Sequence, residues 1–160
     1  MGCGKSTFGK KLSLSSGLPH IDLDSFIEKK ESRTIDSIFE NEGEGSFRKL
    51  ESAYLRELLA QKGNKVVSLG GGTVCYHNNL SLLKSAGTLI YIELTAKTLA
   101  QRLISGKQKR PLLKNLSDEE LFLFVEKKLH ERLLFYKEAH LIINGLNLNA
   151  QEVLQQIEIE

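Results

Sequence analysis

The sequence predicts an α/β fold in which short parallel strands alternate with helices. Three short apolar runs carry the strand prediction, and a weaker fourth follows Pro19: Val66–Leu69, Leu89–Leu94, Leu141–Ile143 and His20–Asp24. Short buried runs separated by helical patterns are typical of βαβ units and a parallel sheet. The length of 160 residues fits a single domain, and we expect residues 1–160 to form one.

Helical periodicity fills the segments between these runs. Leu99 and Leu103 indicate one helix, and Asn149–Ile157 is the last that the pattern predicts. Another helix is predicted from four apolar side chains that recur at spacings of three and four residues: Phe47, Leu50, Tyr54 and Leu58.

A capping box predicts the longest of the later helices. Ser117 is followed three residues later by Glu120, so we expect a helix that begins there and runs to about Tyr136. The preceding segment, Gly106–Asn115, is rich in Lys, Arg and Gly, contains Pro111 and has no apolar period. It is predicted to be a mobile surface loop.

Composition excludes several classes of protein. A hydrophobic fraction of 41% excludes a wholly disordered chain. The apolar runs are far shorter than the roughly 20 residues of a membrane span. A net charge of +2 does not favour nucleic acid as a partner. Two cysteines make no disulfide framework, and no segment resembles a secretory signal. We therefore expect a cytoplasmic protein, a monomer that binds small molecules rather than nucleic acid or membranes.

The first seven residues end in Gly-Lys-Ser, the end of a phosphate-binding P-loop. Glycines let consecutive backbone N–H groups approach phosphate oxygens, and the helix that begins here directs its positive end at the same anion. Lys5 would contact the β- and γ-phosphates, and the Ser6 hydroxyl would ligate Mg²⁺. The alternative is a glycine-rich helix start with a solvated lysine.

The complete P-loop pattern, Gly-x-x-x-x-Gly-Lys-Ser/Thr, places its first glycine upstream of Met1 when Gly4 is the second. The strand that should precede the loop is also absent from the sequence. Either the natural start lies upstream, or the chain lacks this strand. We expect an upstream start, because losing a central strand would leave ladder groups on two neighbours unpaired, at about 1–3 kcal/mol each.

Two carboxylates stand at the end of the predicted strand before the first long helix. Asp22 and Asp24 flank Leu23, and period-two alternation would place both on one face. The carboxyl ends of parallel strands form the ligand crevice. One carboxylate can hold Mg²⁺ through water while the other acts as a base on a substrate hydroxyl. The alternative is a solvated strand end, or Asp24 as a helix N-cap.

Glycines and arginines complete the candidate site. Gly70-Gly71-Gly72 directly follows the Val66–Leu69 run, where backbone can come close to a ligand. Arg48, Arg110 and Arg132 are candidate anion clamps, because guanidinium binds carboxylate and phosphate bidentately. Arg110 lies in the predicted loop and could reach a ligand when that loop closes. The alternatives are a plain flexible turn and solvated surface arginines.

Taken in order, these motifs resemble the shikimate kinase family over about residues 1–144. The motifs that carry the resemblance are Gly2-Cys3-Gly4-Lys5-Ser6-Thr7, Ile21-Asp22-Leu23-Asp24, Phe47-Arg48-Lys49-Leu50-Glu51, Gly70-Gly71-Gly72, Lys109-Arg110-Pro111-Leu112-Leu113, and Arg132 with Tyr136. One departure is Leu134, which stands where the family usually has the proline of Arg-x-Pro-x-Tyr.

The resemblance implies a three-layer α/β/α fold of the P-loop nucleoside-monophosphate-kinase type. Its parallel sheet has the order 2-3-1-4-5, with strand 1 largely missing from this sequence. It also implies transfer of the ATP γ-phosphate to the 3-hydroxyl of shikimate, in chorismate and aromatic amino-acid biosynthesis, with Mg²⁺ as cofactor. A substrate-binding insertion would span about residues 25–52 and a lid about residues 106–116.

Site roles follow from the resemblance position by position. Asp24, Lys5 and Arg110 are implied as catalytic, with Asp24 as the base, and Ser6 and Asp22 as metal-binding. The implied nucleotide-binding residues are Gly2, Cys3, Gly4, Lys5, Ser6, Thr7, Arg102 and Arg110. The implied shikimate-binding residues are Asp24, Arg48, Gly70, Gly71, Gly72 and Arg132, with the arginines on the substrate carboxylate. Two other functions remain open from the residues alone: a gluconate or nucleotide kinase, and a catalytically inactive P-loop relative that serves as a binding module.

Overall fold

The computed structural model describes residues 2–105 and 116–157. The predicted lid, with Arg110, therefore lies outside the described residues except for Leu116. The chain divides into two compact units. One comprises Lys5–Thr88 and Asn149–Glu160 and is called the Lys5–Thr88 unit. The other comprises Met1–Gly4 and Leu89–Leu148 and is called the Leu89–Leu148 unit.

The described residues form short strands separated by one or two helices. In chain order they are α1 (Lys5–Ser16), β1 (His20–Asp22), α2 (Leu23–Glu31), α3 (Ile35–Ala60), β2 (Val66–Ser68), a 3₁₀ turn (Thr73–Cys75), α4 (Asn79–Ala86), β3 (Ile90–Glu93), α5 (Ala96–Ile104), α6 (Asp118–Tyr136), β4 (Leu141–Asn144) and α7 (Ala150–Gln155).

Among the described residues, three strands lie within predicted apolar runs and β4 extends one residue past the fourth run, to Asn144, and both pairings are parallel. In the Lys5–Thr88 unit, β1 pairs with β2, with Ile21 opposite Val67. In the Leu89–Leu148 unit, β3 pairs with β4, with Tyr91 opposite Ile142. The pairs correspond to neighbours 2-3 and 4-5 of the predicted order. The α/β class with parallel strands is thus confirmed.

The core of the Lys5–Thr88 unit is built by α2 and α3. Its fully buried apolar side chains are Leu23, Ile27, Ile38, Leu55 and Leu58. Helix α3 is interrupted at Gly43, whose φ of 78° is the left-handed conformation that glycine adopts without a steric penalty. Arg48 and Glu51 lie in the part of α3 that follows this kink. The kink therefore determines the direction of the helical segment that carries them.

The Leu89–Leu148 unit packs α5 against α6. Leu99 and Leu103 of α5 pack with Leu121 and Val125 of α6 and with Leu94. The predicted capping box is present: the Ser117 amide donates to Glu120 Oε2 at 2.7 Å, and the Glu120 amide donates to Ser117 Oγ at 3.1 Å. The helix ends at Tyr136, as the sequence predicts.

The structure corrects the sequence prediction at two places. Helix α2 begins at Leu23, directly after β1, so Asp24 lies on a helix and not on a strand. Helix α4 and the 3₁₀ turn Thr73–Cys75 were not predicted, because both are short. Within residues 2–105 and 116–157, no helix is long and apolar enough to cross a membrane.

Candidate active site

Asp22 links the phosphate-loop helix to α2. It is the N-cap of α2, and its Oδ1 accepts hydrogen bonds from the amides of Asp24 at 3.1 Å and Ser25 at 3.3 Å. Its Oδ2 accepts a hydrogen bond of 2.6 Å from the Ser6 hydroxyl at the start of α1. The structure therefore brings the two predicted metal-binding residues together, and the cap fixes the direction of the carboxylate.

These two residues fit a magnesium ion in kind and in number. Both present hard oxygen atoms, and Mg²⁺ in nucleotide sites is usually held by one or two protein groups together with phosphates and waters. Across residues 2–105 and 116–157, no group of three or more His, Cys, Asp or Glu could hold a metal. A metal at this place would therefore be completed by the nucleotide and by water.

Asp24 lies in the first turn of α2, so the prediction that strand alternation places it beside Asp22 was wrong. The helix begins immediately after Asp22 because that side chain caps it. The two carboxylates are nevertheless close enough to interact. Burial, followed by the charges of Asp22 and Glu51, raises the pKa of Asp24 to about 6, while Lys5 acts in the opposite direction. Such a carboxylate is suited to accept a proton near neutral pH.

Arg48 is held on several sides by buried groups. Its Nη1 donates to Glu51 Oε2 at 2.8 Å, and Glu51 is fully buried. Its guanidinium lies against the backbone of Gly72, where an added Cβ would stand 2.6 Å from Nη2 and 2.8 Å from Cζ. Burial alone would lower the pKa of Arg48, but Glu51 and then Glu44 outweigh it and the net direction is upward. Arg48 therefore stays charged.

The glycine turn joins Asp24 to this ion pair. A Cβ on Gly70 would lie 2.9 Å from Glu51 Oε1 and 3.3 Å from Asp24 Oδ1. Thr73 donates its hydroxyl to Glu51 Oε1 at 2.6 Å. The structure thus brings Asp24, the glycine turn and Arg48 to one place in the Lys5–Thr88 unit, as predicted for a substrate site.

Buried polar residues that support this turn were missed by the sequence reasoning. Glu51 was part of a quoted motif but had no role assigned. Asn79, at the start of α4, accepts from Ser52 Oγ at 2.6 Å and donates to the Thr73 carbonyl at 2.9 Å. The available signal was Glu51 itself, a carboxylate three residues after Arg48 on the apolar side of a helix.

The Leu89–Leu148 unit holds the candidates Gly2, Cys3, Gly4, Arg102 and Arg132. Gly2 and Gly4 have φ values of 73° and 86°, the left-handed conformations expected of a phosphate loop. Arg102 donates to the Cys3 carbonyl at 3.4 Å and to the Gly145 carbonyl at 3.3 Å. Arg132 is half-buried on α6. Its convergence with Arg48 of the other unit remains a prediction.

The close approach of Arg48 to Gly72 leads to a testable result. We expect Gly72→Ala to weaken binding of shikimate, the acceptor that the resemblance implies, about tenfold or more, because the new methyl group must displace a guanidinium already held by Glu51. Backbone strain is not involved, since φ of Gly72 is −99°. Gly45→Ala is the control, because a Cβ there meets nothing within 4 Å. Calorimetric titration measures both, and equal affinities would contradict the expectation.

Parallel strand pairs, a Gly-Lys-Ser loop at a helix start and a helix-capping aspartate hydrogen-bonded to the serine of that loop define a P-loop kinase. The sequence model of the family described as shikimate kinase matches residues 1–159. The chain belongs to the shikimate kinase family, which confirms the resemblance seen in the sequence.

Individual relatives agree with this membership. The shikimate kinase of Flavobacterium johnsoniae is 41% identical over 158 residues, which is 98% of this chain and 92% of the relative. Among solved structures, shikimate kinase from Bacteroides thetaiotaomicron has 34% identity and a TM-score of 0.89, covering 98% of this chain and 90% of that one. Shikimate kinase from Acinetobacter baumannii, solved in complex with shikimate, has 34% identity and a TM-score of 0.85, covering 98% and 87%.

Proposed function

We propose that this chain is an ATP-dependent kinase that transfers the γ-phosphoryl group of ATP to the 3-hydroxyl of shikimate. The products are shikimate 3-phosphate and ADP, in the route to chorismate and the aromatic amino acids. The observation that carries the proposal is the environment of the buried Arg48. Its guanidinium packs against Gly72 and pairs with Glu51, and Asp24 lies beside the same glycine turn. A fixed cation next to a carboxylate of raised pKa suits an acceptor that has both an acid group and a hydroxyl.

The acceptor would be held by its carboxylate. Arg48 and Arg132 would bind that group, since guanidinium matches a carboxylate bidentately. The backbone of Gly70, Gly71 and Gly72 would lie against the ring of the substrate. This arrangement would direct the 3-hydroxyl towards Asp24.

Asp24 would accept the proton of the 3-hydroxyl as its oxygen forms the bond to the γ-phosphorus and the bond to the β,γ-bridging oxygen breaks. The pKa of about 6 makes this carboxylate a better base than an ordinary aspartate while it stays largely ionised at neutral pH. The negative charge that moves to the leaving ADP would be met by Lys5 and by Arg110, which lies outside the described residues.

The nucleotide would be bound by the N-terminal loop and the start of α1. Lys5 and the residues 2–4, 6 and 7 would contact its phosphates, and Arg102 would lie against adenine. Ser6, and Asp22 through water, would hold Mg²⁺, which when bound neutralises phosphate charge. Supporting this, the Ser6 hydroxyl and Asp22 Oδ2 already lie 2.6 Å apart.

We further propose a cytoplasmic monomer with no nucleic-acid or membrane partner. ATP as the donor supports an intracellular site of action. Sedimentation equilibrium of the purified protein tests the monomer, and a dimer at micromolar concentration would reject it.

The activity is tested by ADP release with a panel of acceptors: shikimate, gluconate and nucleoside monophosphates. We expect turnover with shikimate alone, and phosphorus NMR should place the new phosphate on the 3-hydroxyl. Faster turnover with gluconate or a nucleotide would assign another kinase. Shikimate binding without turnover would favour a binding module instead.

Lys5 is expected to matter mainly for the nucleotide. Lys5→Met should weaken ATP binding roughly 10- to 100-fold and lower turnover, because a charge-assisted contact to phosphate is lost. Lys10→Met is the matched control, since Lys10 is an exposed lysine on the same helix. Calorimetry with a non-hydrolysable ATP analogue measures the affinity. An unchanged dissociation constant together with an unchanged rate would show that Lys5 does not serve a P-loop.

A further inference from the structure

We propose that Glu44 is a built-in competitor for the substrate carboxylate: it pairs with Arg48 in the free protein and is displaced when shikimate binds, so that it lowers the affinity for shikimate. The inference rests on the proposed function and on the contacts of Arg48.

Arg48 is paired with a different carboxylate on each side. On the inner side, Nη1 donates to Glu51 Oε2 at 2.8 Å. On the outer side, Nε at 3.2 Å and Nη2 at 2.9 Å both donate to the single oxygen Oε1 of Glu44. The faces of the guanidinium are covered by Gly72 and by the ring of Tyr76, whose centroid is 4.7 Å from Cζ.

The two carboxylates differ sharply in exposure. The Glu44 side chain is 53% exposed, whereas that of Glu51 is 0% exposed and that of Arg48 only 10%. A carboxylate arriving from solvent therefore meets Arg48 on the side that Glu44 covers. Glu44 is also the residue directly after the kink at Gly43, where the helical backbone is interrupted. Glu51 is enclosed and Glu44 is the partner that can leave.

The pairing geometry favours the substrate over Glu44. The Nε and Nη2 groups form a parallel pair of donors that suits two carboxylate oxygens, one for each N–H. Glu44 offers both donors the same oxygen, Oε1, which also accepts from the Tyr76 hydroxyl at 3.4 Å, so its contact with Arg48 is forked. A substrate carboxylate can supply two oxygens along this edge. In either state the buried guanidinium keeps an anion beside it, which avoids the cost of an unpaired buried charge.

Removing Glu44 should strengthen binding because it raises the free energy of the free protein more than that of the complex. We expect the dissociation constant for shikimate to fall roughly two- to tenfold in Glu44→Ala, as suits a contact with one exposed partner. Glu44→Gln keeps an acceptor oxygen and loses the charge, so its affinity should lie between those of the parent and the alanine variant.

Calorimetric titration with shikimate is the test, and Glu40→Ala is the matched control. Glu40 is an exposed glutamate four residues earlier on α3, so its removal changes the net charge equally without touching Arg48. A second probe is the methyl ester of shikimate, which has no anionic carboxylate. The gain in affinity should appear with shikimate and disappear with the ester, and KM for shikimate should fall while KM for ATP does not.

The outcomes separate this inference from the proposed function. If the parent binds shikimate and Glu44→Ala binds it equally or more weakly, Glu44 does not compete with the substrate, and the kinase assignment stands. An equal gain in Glu40→Ala, or with the ester, would show a general charge effect and would overturn the inference. If the parent neither binds nor phosphorylates shikimate, the proposed function fails and the inference fails with it.

Discussion

Asp24→Asn is expected to lower turnover about 10²- to 10⁴-fold, the range typical of losing a general base. Asparagine keeps the shape of the side chain and its hydrogen-bonding capacity but cannot accept the proton of the 3-hydroxyl. Steady-state ADP release with saturating ATP and shikimate measures the effect. The size of the loss should exceed that of any other single substitution suggested here.

Binding measurements show whether this loss is chemical. The dissociation constant for shikimate should stay within a few-fold of the parent, because Arg48 and the glycine turn are unchanged. Asp36→Asn, at an exposed position in the first turn of α3, is the control for charge. Turnover of Asp24→Asn within threefold of the parent would remove Asp24 from the role of base.

The same substitution should stabilise the protein in the absence of nucleotide and metal. The pKa of Asp24 is about 6 in the folded chain against an ordinary value of 3.8 for an aspartate, so folding favours the protonated form. That contribution is complete below about pH 4 and is lost as pH rises through 6. At pH 8 we expect Asp24→Asn to exceed the parent by roughly 1–3 kcal/mol in free energy of unfolding. The difference should vanish near pH 4 in urea denaturation.

Glu51→Gln is expected to cost about 3–5 kcal/mol of folding free energy, because it leaves the guanidinium of Arg48 without its buried counter-charge. The glutamine amide also places N–H donors opposite either Arg48 or the Thr73 hydroxyl, where the carboxylate accepts from both. Stabilities of small proteins are typically about 5–15 kcal/mol, so the loss is a large part of the total. Denaturant unfolding measures it.

Two further variants separate the lost charge from lost packing. Glu57→Gln, at a glutamate whose side chain is 43% exposed and paired with Lys30, should cost less than about 1 kcal/mol. The double variant Glu51→Leu with Arg48→Met removes both buried charges, and should recover much of the stability while losing shikimate binding. A cost below about 1 kcal/mol for Glu51→Gln would contradict a structural role for this ion pair.

Features with a local cause were predictable from the sequence. The four strands follow from short apolar runs, and both ends of α6 follow from Ser117, Glu120 and the apolar period between the caps. Ser6 and Asp22, both implied as metal-binding by the resemblance, lie within hydrogen-bond distance of each other, and their role at a metal stays a prediction.

Features that depend on distant contacts were not predictable. Asp22 is both the last residue of β1 and the N-cap of α2, so Asp24 lies in a helix. A period-two strand pattern cannot indicate that the backbone changes from strand to helix at this residue. The role of Glu51 depends on Thr73, 22 residues away, and that of Glu44 on a kink at Gly43 inside a helix. A charged residue within a helical pattern is ordinarily solvated, so Glu44 gave no signal in the sequence, and the signal from Glu51 was limited to its place on the apolar side of its helix.

The capping box at Ser117, in which both hydrogen bonds are present, affects which parts of the sequence can change among family members. Helix α6 starts on hydrogen bonds between Ser117 and Glu120, and near its other end the ring of Tyr136 stacks on Tyr91 with centroids 4.9 Å apart. These contacts within the Leu89–Leu148 unit thus fix the rotation of α6 about its own axis. They thereby fix the side of the helix on which Arg132 lies. Sequence change before Leu116 therefore leaves both of these contacts of α6 in place, so evolution can alter that stretch without rotating the helix face on which Arg132 lies.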